Sequence, residues 1–231
     1  MTLLAIDTCT ERLIAGLRSS ETATDRWTNL DTREAGGAGN HSLDLIEAVR
    51  ALLEGRRPDA VGVALGPGSF TGVRIGLASA KGLAEGWGVP LVGLDNLAAM
   101  AHAWRTLVPV SEAAVLPVID ARKKKFYGAL YSGANVLVPP SDRGPEAWVA
   151  EAARVWNGPV ALSGYQGGLL AQALGEALPA GWSVLTVHDW APGLLDQLEA
   201  GWREGRSLAS DAGPRYLRLS EAEEMLRSRN G

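Results

Sequence analysis

The run Val61-Gly62-Val63-Ala64-Leu65, then Gly66-Pro67-Gly68-Ser69-Phe70-Thr71-Gly72, then Val73-Arg74-Ile75-Gly76-Leu77-Ala78-Ser79-Ala80-Lys81-Gly82-Leu83-Ala84, joins an apolar strand to a small-residue helix through a glycine turn. Gly66 and Gly68 admit backbone angles closed to other residues, so the chain can turn sharply and present bare N–H groups where the helix begins. That is the outline of an anion site. A P-loop would place Gly-Lys-Ser/Thr where this chain has Thr71-Gly72-Val73, and a dinucleotide fingerprint would place glycine at Thr71. Two readings of the turn stay open: a phosphate cradle, or a tight connection in which Ser69 or Thr71 caps the helix. Gly72, Gly76, Ala80 and Ala84 recur every four residues and form one nearly bare helix face. Another helix can approach closely there, within the same domain or across a subunit contact.

Working outward, Leu3 to Ile6 reads as a strand, Asp7 to Glu11 as a turn and Arg12 to Arg18 as the returning strand. The design recurs in Val115 to Ile119, Asp120 to Lys125 and Phe126 to Tyr131, with Ile6-Asp7 echoed by Ile119-Asp120. Val160-Ala161-Leu162, Ser163-Gly164-Tyr165-Gln166-Gly167-Gly168 and the apolar Leu169-Leu170-Ala171 repeat strand, glycine turn and helix. Pro90 to Leu94 reads as a further strand, and Asn96 to Leu107 as a helix ending before Pro109. Asn40 or Ser42 can cap a helix whose Leu45, Ile46, Val49, Leu52 and Leu53 fall at helical spacing before Gly55 and Pro58. Glu221 to Arg229 reads as a charged surface helix.

A chain of 231 residues can bury a substantial core, and 46% hydrophobic with 21% charged residues is ordinary for a globular protein. The net charge of −4 argues against a surface that grips nucleic acid everywhere, and leaves room for a local basic patch. No apolar run is long enough to span a membrane. The lone Cys9 cannot form an internal disulfide, which suits a reducing, cytoplasmic setting.

Duplicated halves, each opening with a hairpin whose first strand ends in an acid, are the plan of the actin, sugar kinase and Hsp70-type ATPases. The expected fold is α/β: two related actin-like subdomains, 1–107 and 108–231, each a mixed sheet with helices. Six landmarks then run in order: Leu4-Ala5-Ile6-Asp7-Thr8-Cys9-Thr10, His41-Ser42, Gly66 to Gly76, Ala80-Lys81-Gly82-Leu83-Ala84, Ile119-Asp120-Ala121-Arg122 and Pro214-Arg215-Tyr216-Leu217-Arg218. They resemble the landmarks of the TsaB family, also called YeaZ.

The resemblance implies a non-catalytic subunit of the bacterial machinery that makes N6-threonylcarbamoyladenosine at position 37 of tRNAs reading ANN codons. The implied partners are a catalytic TsaD-type subunit, a TsaE-type ATPase, a second copy of the chain, and tRNA through the complex. It implies no cofactor on this chain alone, with ATP or ADP bound in the assembled complex. The TsaD type carries His-x-x-x-His, which can share a metal; His41 here is followed four residues later by Leu45, and His102 and His188 are isolated, so no metal site is expected.

The expected partner interface joins Ser42, Leu45, Ile46 and Val49 of one helix to Gly72, Gly76, Ala80 and Ala84 of the next. Asp7, Thr8, Thr10, Gly66, Gly68 and Ser69 are candidates for a nucleotide site, vestigial or working. Arg122, Lys123, Lys124 and Lys125, the only dense basic cluster, are candidates for RNA contact. The competing class is a stand-alone ATP-dependent phosphotransferase, in which Asp7, Thr8 and Thr10 would meet Mg-phosphate. Its second loop, Ser163 to Gly168, offers no acid to hold a metal, and no base is evident beyond Asp120.

Overall fold

The computed structural model describes residues 1–21, 24–31 and 41–218; the Glu221–Arg229 helix and the Asn40 cap lie outside them. The first half lays down β1 (Thr2–Asp7), β2 (Arg12–Ser19) and β3 (Arg26–Asp31) as an antiparallel meander. It continues through α1 (His41–Leu53), β4 (Ala60–Ala64), α2 (Phe70–Trp87), β5 (Leu91–Leu94) and α3 (Asn96–Leu107). The second half repeats that order with β6 (Ala114–Asp120), β7 (Phe126–Ser132), β8 (Asn135–Arg143), α4 (Pro145–Val155), β9 (Val160–Ser163), α5 (Gly167–Leu174), β10 (Trp182–Val184) and α6 (Ala191–Arg203). The sheets are β3-β2-β1-β4-β5 and β8-β7-β6-β9-β10, so β1 and β6 are equivalent central strands, each parallel to the next two in its sheet. The duplicated α/β plan expected from the sequence is the observed one.

Strand alternation builds the layers. Leu4 and Ile6 of β1 join Leu45, Val49, Val63, Leu77 and Ala80 in one core under α1 and α2. Leu3 and Ala5, on the opposite face, join Leu97, Met100, Leu194 and Leu198 in the central core. Val115 and Ile119 of β6 face that same central layer, while Leu116 and Val118 pack with Trp148 and Leu170 under α4 and α5. The stack therefore runs α1 with α2, first sheet, α3 with α6, second sheet, α4 with α5.

The middle layer is exchanged. After β5, α3 packs on β6, β7 and β9 of the second sheet; after β10, α6 packs on β1, β2, β4 and β5 of the first, and the two helices pack on each other. Leu194, Leu195 and Leu198 of α6 are fully buried by this return.

Candidate functional site

The turn closing β1 and β2 is pressed against the glycine turn between β4 and α2. The Ser69 N–H donates to the Cys9 carbonyl at 2.7 Å, and Thr8 Oγ1 donates to the Gly72 carbonyl at 2.7 Å. Ser69 caps α2, its Oγ accepting from the Gly72 N–H at 3.3 Å. So close an approach requires glycine, because a Cβ on Gly68 would lie 2.0 Å from the Cys9 carbonyl oxygen and one on Gly72 2.1 Å from that of Thr8.

Asp7 is wholly buried; its Oδ1 accepts from the Cys9 N–H at 2.8 Å and its Oδ2 from the Trp190 indole at 2.7 Å. Burial pushes the Asp7 carboxyl above the usual carboxylate range, against the pull of those donors. Burial and the neighbouring carboxylate push the Cys9 thiol well up, which suits a packing group and not a nucleophile. The Thr10 hydroxyl accepts from the Arg12 N–H at 3.0 Å. The structure thus brings Asp7, Thr8, Thr10, Gly66, Gly68 and Ser69 together, and the side chains of Asp7, Thr8, Thr10 and Ser69 are bonded within the chain.

The equivalent turn of the second half, between β6 and β7, is different. Arg122, Lys123 and Lys124 take φ values of 63°, 54° and 59° in succession. Each is in the left-handed region, at a cost of roughly 1–2 kcal/mol for a residue bearing a Cβ. Two backbone bonds close the turn, Ala121 N–H to Lys125 at 2.9 Å and Lys125 N–H to Arg122 at 3.1 Å. All of Arg122 to Lys125 are exposed; Arg122 pairs with Glu11 at 3.2 Å and Lys125 with Asp142 at 3.3 Å. Gln166 ties the two turns together, accepting from the Asp120 N–H at 2.5 Å and donating to Glu11 at 3.1 Å.

The bare face of α2 points inward, which corrects its assignment to a partner interface. Gly72, Gly76, Ala80 and Ala84 are all buried, and a Cβ on Gly76 would lie 2.2 Å from Thr8 Oγ1. The close approach that this face permits is made by the β1–β2 turn and by α1 of the same chain. Leu45 and Val49 are buried in that contact too, whereas Ile46 is 47% exposed; the Ser42 side chain lies outside the described residues. A second run of small residues, Ala78, Gly82 and Gly86, lies on the outward face of α2, where a Cβ at 82 or 86 would meet nothing within 4 Å.

Further features went unread in the sequence. Trp190, which seals Asp7, stands 183 residues away in the chain, and no local pattern announces it. Past α6 the chain returns across the first half: the Leu208 N–H donates to Leu91 at 2.6 Å and the Arg215 N–H to Leu65 at 2.8 Å. Lys81 Nζ donates to the Ser210 and Ala212 carbonyls at 2.7 Å each. Tyr216 then stacks on Phe70 with ring centres 5.1 Å apart, and Arg74 lies 3.6 Å over Phe70 while donating to the Tyr216 hydroxyl at 2.7 Å. Among the described residues, no group of three or more His, Cys, Asp and Glu side chains is placed to hold a metal ion. His102 lies 3.0 Å from Asp196, and the His188 ring meets Tyr165 edge-on.

Comparison with known proteins narrows the field. A family model for TsaD, tRNA N6-adenosine threonylcarbamoyltransferase, matches residues 37–140. The tRNA threonylcarbamoyladenosine biosynthesis protein TsaB of Bacillus subtilis is 30% identical over 96% of this chain and 96% of its own. The Escherichia coli protein of the same name is 36% identical over 57% of this chain and 55% of its own. Among solved structures, YeaZ from Pseudomonas aeruginosa superposes with a TM-score of 0.74 at 25% identity, covering 94% of this chain and 99% of that one. An inorganic polyphosphate/ATP-glucomannokinase from Arthrobacter shares the fold at a TM-score of 0.50 and 10% identity, covering 88% of this chain and 99% of that one.

Proposed function

Because the chain belongs to the TsaB (YeaZ) family of tRNA threonylcarbamoyladenosine biosynthesis proteins, we propose that it is a non-catalytic subunit that binds and supports the TsaD-type catalytic subunit. One observation carries the non-catalytic part: both Asp7 oxygens are engaged inside the protein and Trp190 covers the carboxylate. In a phosphotransferase of this architecture an acid at the end of the first strand would face a metal-bound phosphate, and here the indole occupies that side. Ejecting Trp190 to admit a metal would strand a fully buried side chain in water. On this reading the TsaE-type ATPase joins the pair, and ATP or ADP is bound only once the complex is assembled.

The outward face of α1 and α2 supports the partner reading better than the inward one. Ile46 supplies an exposed apolar anchor, and Ala78, Gly82 and Gly86 leave α2 open to close approach by a second helix. Self-pairing of the chain alone would use the same face. Sedimentation of the chain with the TsaD-type protein of its organism tests this directly. A defined mixed species is expected, and Gly82→Leu should abolish it while leaving the urea midpoint unchanged or raised, because leucine favours a helix by about 1 kcal/mol over glycine. Normal association of that variant would remove the face from consideration. Phosphoryl transfer or ATP hydrolysis by the chain alone would overturn the non-catalytic reading.

A further inference from the structure

We infer that the strained basic turn at Arg122–Lys124 and the strap residues Arg215, Tyr216 and Arg218, with Phe70 and Arg74, form one direct RNA-binding ridge on this subunit. The inference rests on the family-level function proposed above and adds a contact with the nucleic acid itself. Three of the four lysines in the chain stand at positions 123–125. Left-handed backbone suits glycine or asparagine, yet arginine and two lysines hold it in succession, and all three are exposed, Arg122 while paired with Glu11 and Asp120. Strain of this kind is held where the surrounding structure fixes it and where the side chains are used.

The ridge is continuous. Arg218 Nη1 donates to the Ala121 carbonyl at 3.2 Å, at the root of the basic turn. Two residues earlier on the same strap, Tyr216 holds Arg74 through its hydroxyl and stacks on Phe70. Arg215, next to Tyr216 in the chain and 50% exposed, pairs with Asp95 at 3.2 Å. Cations spaced along a strap read a phosphate backbone, while Tyr216, 42% exposed and stacked on Phe70 beside the Arg74 guanidinium, offers an aromatic platform for an unpaired base. An exposed aromatic residue among the cations favours RNA over an acidic protein, which would need the charges alone.

The test separates charge from backbone. The double variant Lys123→Asn, Lys124→Gly relieves the left-handed strain and removes two cations, so its melting temperature should rise. Its mixed complex with the TsaD-type subunit should bind a fluorescent tRNA transcript about tenfold more weakly near 0.1 M salt. The slope of log affinity against log salt should fall by about 1.5, as expected for two lost phosphate contacts. Tyr216→Leu should weaken binding about fivefold with the slope unchanged, the mark of lost stacking. Arg154→Gln, a cation removed from α4, serves as the charge control. If the wild-type complex does not form, the family-level reading fails first. If the complex forms and the double variant binds RNA with unaltered affinity and slope, the ridge is overturned. Loss of partner association in the double variant with RNA affinity retained would make the turn a protein contact, and would overturn it equally.

Discussion

The corner that closes β1 and β2 and the corner that closes β6 and β7 hold equivalent places in a duplicated architecture and have opposite contents. The first is Asp7-Thr8-Cys9-Thr10, buried, pressed on Gly68 and Gly72 and sealed by Trp190. The second is Asp120 to Lys125, in which Arg122 to Lys125 are exposed and cationic and three residues are left-handed. A β-hairpin that ends a central strand can thus be converted into core or into a presenting surface without altering sheet order. What decides is the turn opposite it. Glycines at 68 and 72 let α2 descend onto the first corner, whereas at the second Gly168 leaves open space and Gln166 makes the reach instead.

Substitution at the two glycine turns is the strongest way to break the comparison. Gly68→Ala drives a Cβ into the Cys9 carbonyl, a rigid backbone group, and should cost about 3 kcal/mol or more in urea unfolding. Gly168→Ala, in the first turn of α5 with nothing within 4 Å of the added Cβ, should be neutral or stabilising by up to about 1 kcal/mol. Equal losses at both sites would mean that the corners are packed alike.

Trp190→Phe should cost about 2 kcal/mol, because a buried Asp7 oxygen loses its donor. Lys124→Gly should act in the opposite direction at the second corner, stabilising by about 1 kcal/mol and raising the melting temperature by a few degrees. A destabilised Lys124→Gly variant would show that this lysine anchors the turn.

The smallest effect is a slope. The Asp7 pKa is raised in the folded protein above its unfolded value of 3.8, so folding favours the protonated acid. That contribution is fully present below pH 3.8 and is lost as pH rises through the folded-state pKa. Asp7→Asn should flatten the fall of the denaturant midpoint above about pH 4. An unchanged slope would place the titration elsewhere.

Much of the first half was legible because its signals are local. Apolar runs bounded by Gly66, Gly68 and Asp7 define strands and turns in a single reading, and the Ile6-Asp7 and Ile119-Asp120 echo exposes the duplication. β3 escaped notice because Arg26-Trp27-Thr28-Asn29-Leu30-Asp31 is a partly solvated edge strand without a buried face. α6 carried a readable pattern in Leu194, Leu195 and Leu198, but nothing in it says that it will cross to the other sheet. The spacing of Gly72, Gly76, Ala80 and Ala84 established a close approach and left its direction open, since a bare stripe is the same whether it meets Thr8 or a second chain. The left-handed run at Arg122 to Lys124 gave no signal at all, because those residue types disfavour the conformation they adopt.

The exchange of α3 and α6 bears on the order in which the protein is made. The first sheet leaves the ribosome complete once Leu94 has emerged, yet one of its faces stays uncovered until Leu194, Leu195 and Leu198 follow about a hundred residues later. The second sheet, by contrast, finds α3 already waiting when β6 is synthesised. The half that begins first is therefore finished last, and a nascent chain halted before Ala191 would expose Leu3, Ala5 and Leu94 to the chaperones that meet unfinished proteins.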